Sequence, residues 1–141
     1  MPNEERLLKM FLRIMGTTSL LAMIGVVMPY SWMDVSHQWL GLGKMPADPV
    51  VGYLARSTSL LYAMHGALLW VASFDVVRYR AIALYIGVAV MAAGVFLLGI
   101  DIVEGLPLVW VAGEGPINFV CGAFIFLLAR RIRSQRDSQP S

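Results

Sequence analysis

Four ionisable residues in or beside long apolar stretches are the side chains best placed to do chemistry. Arg56 and Glu114 each lie about two helical turns inside such a stretch, and Asp101 and Glu104 close the end of another. A charged side chain in a bilayer costs about 2.5–3.5 kcal/mol on insertion, so it usually pairs with another group or serves a function. We call these four residues the polar cluster. We expect Arg56 and Glu114 to be paired, or bridged through Asp101, because a guanidinium donates to carboxylates bidentately.

Two interpretations of the polar cluster stay open. One is a structural clamp that holds the predicted second, third and fourth helices in register. The other is an outward-opening pocket that binds a small ligand headgroup or handles protons, and the two are compatible. Asn118 lies at the same level and is expected to hydrogen-bond to another helix. The run Gly113-Glu114-Gly115-Pro116 predicts a bend, with regular helix beginning at Pro116.

The two histidines are weaker candidates. For His65, in the predicted second span, we favour a neutral side chain bonded to a backbone carbonyl or a hydroxyl, with a haem or metal ligand as the alternative. His37 and Asp34 are three residues apart, and we favour an interfacial hydrogen bond there over cation binding or proton shuttling. The single cysteine, Cys121, excludes an intramolecular disulfide and a cysteine metal cage. We therefore predict no catalytic residue, no metal site and no cofactor.

Apolar helices must position these residues. Uncharged stretches cover residues 14–33, 57–74 and 81–100, which are 20, 18 and 20 residues long, and a fourth stretch, 106–129, holds one charge. A bilayer core of about 30 Å takes about 20 helical residues to cross, and a helix satisfies its own backbone groups in lipid. Only 14% of the residues are charged, against about 25% in soluble proteins. The sequence thus predicts one all-α domain over residues 1–141, an integral membrane four-helix bundle spanning at about 10–33, 50–74, 80–101 and 106–130.

Basic residues predict the orientation. The N-terminal segment, the second connection and the C-terminal tail together hold nine of them: Arg6, Lys9, Arg13, Arg78, Arg80, Arg130, Arg131, Arg133 and Arg136. The opposite side holds Lys44, with Arg56 just inside the second helix. Because cytoplasmic loops are enriched in lysine and arginine, both termini are expected in the cytoplasm of a bacterium, with the chain in the inner membrane. The formal net charge of +2 gives no reason to expect nucleic acid as a partner.

The connection between the first two spans, about residues 34–49, is the long one. Its apolar residues favour a short amphipathic helix at the outer membrane interface, ending at Gly41 or Gly43 before Pro46 and Pro49 turn the chain. Those apolar residues are Val35, Trp39, Leu40 and Leu42. This segment is therefore expected to lie on the membrane surface and not to cross it.

Small residues favour close packing of the predicted third helix. Ala83 and Gly87 are four residues apart, as are Ala89 and Ala93, with Gly94 beside the latter pair. Such pairs let the backbones of two membrane helices approach closely. The neighbour is either another helix of the bundle or a second copy of the chain.

Several of these residues resemble the DoxX-like proteins, a broad group of small four-helix bacterial membrane proteins, and a related family of uncharacterised domains of similar length. The matching residues, within 29–116, are Leu54-Ala55-Arg56-Ser57, Tyr62, Gly66, Gly99, Gly105-Leu106-Pro107 and Glu114. The resemblance implies a four-helix bundle and supplies no reaction. Some DoxX relatives are linked to quinone-coupled sulfur oxidation, but this chain has no cysteine pair or redox motif to support that role.

The expected function is non-catalytic. We predict an accessory subunit or a module that binds a small apolar or lipid-like molecule, with the polar cluster facing outward. One alternative is a membrane-embedded oxidoreductase or proton-coupled enzyme of DoxX-like type that uses Glu114 with His65 or His37, and another is a small dimeric transporter. The predicted partners are the lipid bilayer, other membrane subunits or a second copy of the chain, and an apolar ligand or quinone.

Overall fold

A computed structural model describes residues 3–132, and every regular element in that range is a helix. The helices are α1 Asn3–Leu20, α2 Met23–Val27, α3 Tyr30–Trp39, α4 Pro49–Phe74, α5 Arg80–Val103 and α6 Leu108–Arg131. The all-α prediction is confirmed for these residues. Arg133 and Arg136 of the predicted basic tail lie outside them.

Three helical stretches in the described range are long and apolar enough to cross a membrane: Asn3–Val27, Arg80–Val103 and Leu108–Arg131. They correspond to the first, third and fourth predicted spans, although the first helix begins at Asn3, earlier than expected. At 26 residues, α4 is also long enough to cross. Its less apolar character follows from Arg56, His65 and the hydroxyls of residues 57–59. A crossing by α4 stays a prediction.

The chain divides into two compact units. The hairpin unit comprises the described residues of Met1–Ile14 and Leu69–Ser141, and the loop unit comprises Met15–Leu68. The hairpin unit contains α5, α6, the first part of α1 and the last turn of α4. The loop unit contains α2, α3 and the remaining parts of α1 and α4.

Helices α5 and α6 form the antiparallel hairpin of the hairpin unit. Gly105, with φ of 67°, ends α5, since glycine adopts the left-handed conformation without a Cβ clash. The amide of Leu106 donates to the carbonyl of Asp101 at 3.0 Å, and that of Gly105 to Ile102 at 3.3 Å. These two bonds make a Schellman cap, which satisfies the last carbonyls of α5. Pro107 then directly precedes α6.

A glycine seam joins α5 to α6. It consists of Gly87 and Gly94 on α5 and Gly115 and Gly122 on α6, and each pair is seven residues apart, which places both members on one face. A Cβ added at Gly94 would lie 2.6 Å from the carbonyl oxygen of Gly115, and one at Gly122 would lie 2.5 Å from the amide nitrogen of Met91. The two backbones are therefore in direct contact. Of the predicted small residues, Ala83, Gly87 and Gly94 are buried, whereas Ala93 is exposed.

The other elements of the hairpin unit contribute large apolar side chains. Phe11 of α1 meets Phe124 of α6 edge-on, with ring centroids 4.8 Å apart. The largest side chains that are almost completely buried are apolar and come from four helices: Leu8, Leu12, Leu69, Ile86 and Ile125. These side chains form the closely packed apolar contacts of this unit.

In the loop unit the chain bends twice before α3. Around Leu21 and Ala22 the helix tightens, with Ala22 donating to Ser19 and Ile24 to Leu21 in i→i+3 bonds of 3.1 and 3.0 Å. At Met28 the backbone becomes extended, with ψ of 133°, as expected of a residue that precedes proline. Helix α2 is therefore a short segment whose carbonyl end is left open.

A helix does form in the first connection, as predicted, although it begins earlier, at Tyr30. It ends in a second Schellman cap at Gly41, whose φ is 78°. Here Leu42 donates to the carbonyl of His37 at 3.1 Å, and Gly41 donates to that of Gln38 at 3.0 Å. The loop then returns to α4.

Helix α4 starts with a strong cap and packs closely on α1. The Asp48 carboxylate accepts a 2.9 Å hydrogen bond from the amide of Val50, and Pro49 occupies the first helical position, where no amide is needed. Further along, a Cβ on Gly66 would lie 2.6 Å from the carbonyl oxygen of Gly16. This close approach lies near the middle of α4, next to His65.

Candidate functional site

The guanidinium of Arg56 binds main-chain oxygens within the loop unit. Its Nη1 donates to the carbonyl of Val26 and its Nη2 to that of Met28, the latter at 3.0 Å. These carbonyls lie where α2 ends, because Pro29 has no amide to continue the helix. The open carbonyl end of a helix carries partial negative charge, which favours a cation there. Arg56 thus fastens α4 to the end of α2.

Asp34 and His37 are both bonded within their own loop. The Asp34 carboxylate accepts the Met45 amide at 2.7 Å through one oxygen and the Gln38 side chain at 3.0 Å through the other. The bond from Met45 is the main reason why the pKa of Asp34 lies below its ordinary value, with smaller contributions from Gln38, Lys44 and His37. The Nδ1–H of His37 donates to the carbonyl of Gly43 at 2.8 Å.

The three acids of the polar cluster belong to the hairpin unit. Asp101 is only 2% exposed, and its Oδ2 has no hydrogen-bond partner among the described residues. Glu104 caps α5 at the exposed link. The Glu114 carboxylate accepts the indole N–H of Trp110 at 2.8 Å. The predicted pairing of Arg56 with these acids would join the two units and stays a prediction.

The predicted helix start at Pro116 is wrong. Helix α6 begins at Leu108 and continues through Pro116. The Asn118 side chain donates to the carbonyl of Glu114 at 2.9 Å, one turn earlier on the same helix. The residue before this proline, Gly115, packs directly against α5 in the glycine seam. The expected bond from Asn118 to another helix is replaced by this local bond.

His65 is half-buried in α4 and makes no hydrogen bond within residues 3–132, so its predicted role is untested. Cys121 is half-buried and has no disulfide partner. No group of three or more histidine, cysteine, aspartate or glutamate side chains in the described part of the chain could hold a metal ion.

The loop unit also has an exposed apolar face on α3, which the pattern of charged residues in the sequence does not identify. Trp32, Val35 and Trp39 are 64, 66 and 85% exposed, and their spacing places them on one side of the helix. The polar side chains of Asp34 and His37 instead turn to their own loop. Helix periodicity in Trp-x-x-Val-x-x-x-Trp was the available signal, but it includes Trp32, which precedes the segment predicted from the sequence.

Comparisons of the chain with models of known protein families, with curated proteins and with solved structures find no match.

Proposed function

We propose that this chain is an integral membrane four-helix bundle of DoxX-like type with both termini in the cytoplasm. Its role is non-catalytic, and it binds a small apolar or lipid-like molecule at its outer surface. In this arrangement Asn3–Val27, α4, α5 and α6 are the four crossings. Helix α3 lies at the outer interface of the inner membrane.

The observation that supports the binding role is the exposed apolar face of α3. In water a surface helix turns its polar side outward. In α3 the polar residues Asp34 and His37 are bound to loop atoms, whereas Trp32, Val35 and Trp39 are exposed. An exposed face of two indoles and a valine favours contact with acyl chains or an apolar ligand, and indoles prefer the headgroup level.

An inventory of lipids and small molecules that remain bound after gentle detergent purification tests this role. We expect one apolar molecule to be enriched over bulk lipid. The double variant Trp39→Ala with Val35→Ser should lose it, because those side chains form the exposed face. Tyr85→Ala is the matched control, since Tyr85 is 70% exposed but lies on α5. A wild-type protein without an enriched molecule, or a variant that retains it, contradicts the proposal.

A further inference from the structure

Five arginines of the hairpin unit lie where α4 and α6 end and α5 begins. Arg13 of α1 reaches the last turn of α4, Arg78 and Arg80 follow that turn, and Arg130 and Arg131 end α6. We call these five arginines the basic end. The acid that directly follows α4, Asp75, accepts the main-chain amide of Arg78 at 2.9 Å.

Arg13 is held in place without using its terminal nitrogens. Its Nε donates to the hydroxyl of Ser73 at 3.3 Å, and its guanidinium carbon lies 5.1 Å from the centroid of the Trp70 ring. Ser73 is completely buried and itself donates to the carbonyl of Trp70 at 2.7 Å, so the anchor is rigid. The plane of the Arg13 guanidinium is therefore fixed by the end of α4.

Arg80 is anchored in the same way on a different helix. Its Nε donates to the carbonyl of Ala129 at 3.0 Å, in the last turn of α6. Within residues 3–132, none of the polar contacts of Arg13 or Arg80 is to a carboxylate. Both side chains are half-buried, and their hydrogen bonds to the described residues use Nε and not the Nη atoms.

We propose that Arg13 and Arg80 bind the phosphate of an anionic phospholipid at the cytoplasmic edge of the membrane. A guanidinium whose Nε is fixed presents its remaining N–H groups in a planar array that matches phosphate oxygens. Fixing the side chain in advance removes the entropy that a mobile surface arginine loses on binding. An anionic lipid suits this end because the neighbouring Arg78, Arg130 and Arg131 would repel the ammonium group of a zwitterionic lipid.

This inference rests on the membrane placement proposed above. Its test is native mass spectrometry of the full chain, released from nanodiscs that contain equal amounts of phosphatidylglycerol and phosphatidylcholine. We expect the wild-type protein to retain phosphatidylglycerol preferentially. Arg80→Gln should reduce that retention at least about tenfold, as expected for loss of a charge-assisted hydrogen bond to the phosphate. Arg6→Gln, an equal charge change at an exposed position, should reduce it much less.

Two further variants keep the net charge. They separate the effect of a fixed guanidinium from general electrostatic attraction to the lipid. Arg80→Lys and Ser73→Ala both preserve the net charge, but the first removes the planar array and the second removes the acceptor of Arg13 Nε. Both should weaken phosphatidylglycerol retention while the protein stays folded. Ser73→Ala also provides the test if the Arg80 variants do not fold, because it alters no charged side chain.

Three outcomes overturn the inference. One is equal retention of the two lipids by the wild-type protein, and another is equal losses in Arg80→Gln and Arg6→Gln, which would indicate diffuse attraction. The third is displacement of the lipid by millimolar inorganic phosphate, which would indicate a site for free phosphate. A chain that does not enter nanodiscs at all contradicts the membrane placement instead, so the two failures are distinguishable.

Discussion

Main-chain oxygens accept hydrogen bonds from the Arg56 guanidinium of the loop unit. Arg56 places two donors on the carbonyls that α2 leaves open before Pro29. The same contact therefore provides acceptors for the guanidinium and donors for the carbonyls at the end of α2. This contact joins α4 to the end of α2 within the loop unit, and the pairing of Arg56 with the carboxylates of the polar cluster stays a prediction.

We expect Arg56→Lys to destabilise the protein although the charge is kept. In arginine two separate nitrogens of a planar fork donate to Val26 and Met28, whereas lysine offers one nitrogen on a shorter side chain, so we expect the loss of at least one charge-assisted hydrogen bond. The expected cost is about 1.5–3 kcal/mol, measured as a lower unfolding midpoint in detergent. Arg78→Lys is the control, because Arg78 is exposed at the α4–α5 link. Equal midpoints for the two variants would contradict the role assigned to Arg56.

We expect the stability of the loop that contains Asp34 to depend on pH. Its pKa lies below the ordinary value of 3.8, mainly because the Met45 amide favours the ionised carboxylate. The stabilisation is therefore complete above pH 3.8 and is lost as the pH falls below 3.8 through the lowered pKa. We expect the tryptophan fluorescence of the loop to stay constant from neutral pH to the ordinary value and to change below it.

The Asp34→Asn variant provides the comparison for this titration. Asparagine does not ionise in this range, so the acid transition of the loop should be absent from the variant. The difference between the two fluorescence curves isolates Asp34. A transition that persists in the variant, or one centred above the ordinary value of 3.8, contradicts this account.

At the residue scale, the sequence shows which charged side chains need hydrogen-bond partners, but it does not show which atoms those partners are. Arg56 was recognisable as a costly cation inside an apolar stretch. Its acceptors were not, because backbone carbonyls occur at every position, and only the break at Pro29 makes those of Val26 and Met28 available. The same holds for Asp34, whose contact with the amide of Met45 depends on how the loop folds back.

At the scale of elements, the glycine seam determines how closely α5 and α6 approach. We expect Gly94→Ala to destabilise the protein, because its Cβ would lie 2.6 Å from both the Gly115 oxygen and the Phe119 nitrogen. Backbone atoms cannot move aside as a flexible side chain can, so the helices must separate, at a cost of about 1–3 kcal/mol. Thermal unfolding in detergent measures this effect.

Gly99→Ala is the matched control on the same helix. A Cβ at Gly99 meets no atom within 4 Å, so the substitution leaves the packing unchanged. Alanine is also the better helix former, by about 0.5–1 kcal/mol in water, so this variant should be neutral or slightly more stable than the wild type. Equal destabilisation by the two substitutions would contradict the close backbone contact.

The sequence predicted these elements well but not which of their faces are used. The apolar stretches indicated α5 and α6 directly. On α5 the pairs Ala83–Gly87 and Ala89–Ala93 were equally good candidates for close packing, and only Gly115 and Gly122 on the partner helix decide between them. The helix start predicted at Pro116 was wrong for the same reason. The free-energy cost of a proline inside a helix depends on the groups that surround that turn.

At the scale of the whole molecule, the number of membrane crossings depends on whether α4 crosses. Three stretches have the required length and apolar character, and α4 has the length but several polar groups. Because Arg56 donates hydrogen bonds to two carbonyls, part of the polar surface of α4 is already hydrogen-bonded within the loop unit. Hydropathy treats every arginine alike, so a sequence scale cannot include this compensation, and α4 is more compatible with a membrane than its composition indicates.

The distribution of basic residues provides the stronger argument for four crossings. With the N-terminus inside and α4 not crossing, Arg78 and Arg80 would share the outer side with Lys44, and the arginines after α6 would also be outside. That arrangement contradicts the observed preference for basic residues in the cytoplasm. With the N-terminus inside and α4 crossing, the basic residues at both ends and in the α4–α5 link are all inside, whereas three crossings with the N-terminus outside would leave Arg6, Lys9 and Arg13 outside.

Single cysteines introduced into a Cys121→Ala background test this arrangement in intact cells. We expect a membrane-impermeant maleimide to label Ala47→Cys, in the exposed approach to α4, from outside. It should label Asn3→Cys and Val77→Cys only after the membrane is permeabilised, because both lie on the cytoplasmic side when α4 crosses. Val77→Cys is the decisive position, since it is separated from Ala47 by α4 alone. If Val77→Cys and Ala47→Cys are labelled alike, α4 does not cross and the four-helix arrangement is wrong.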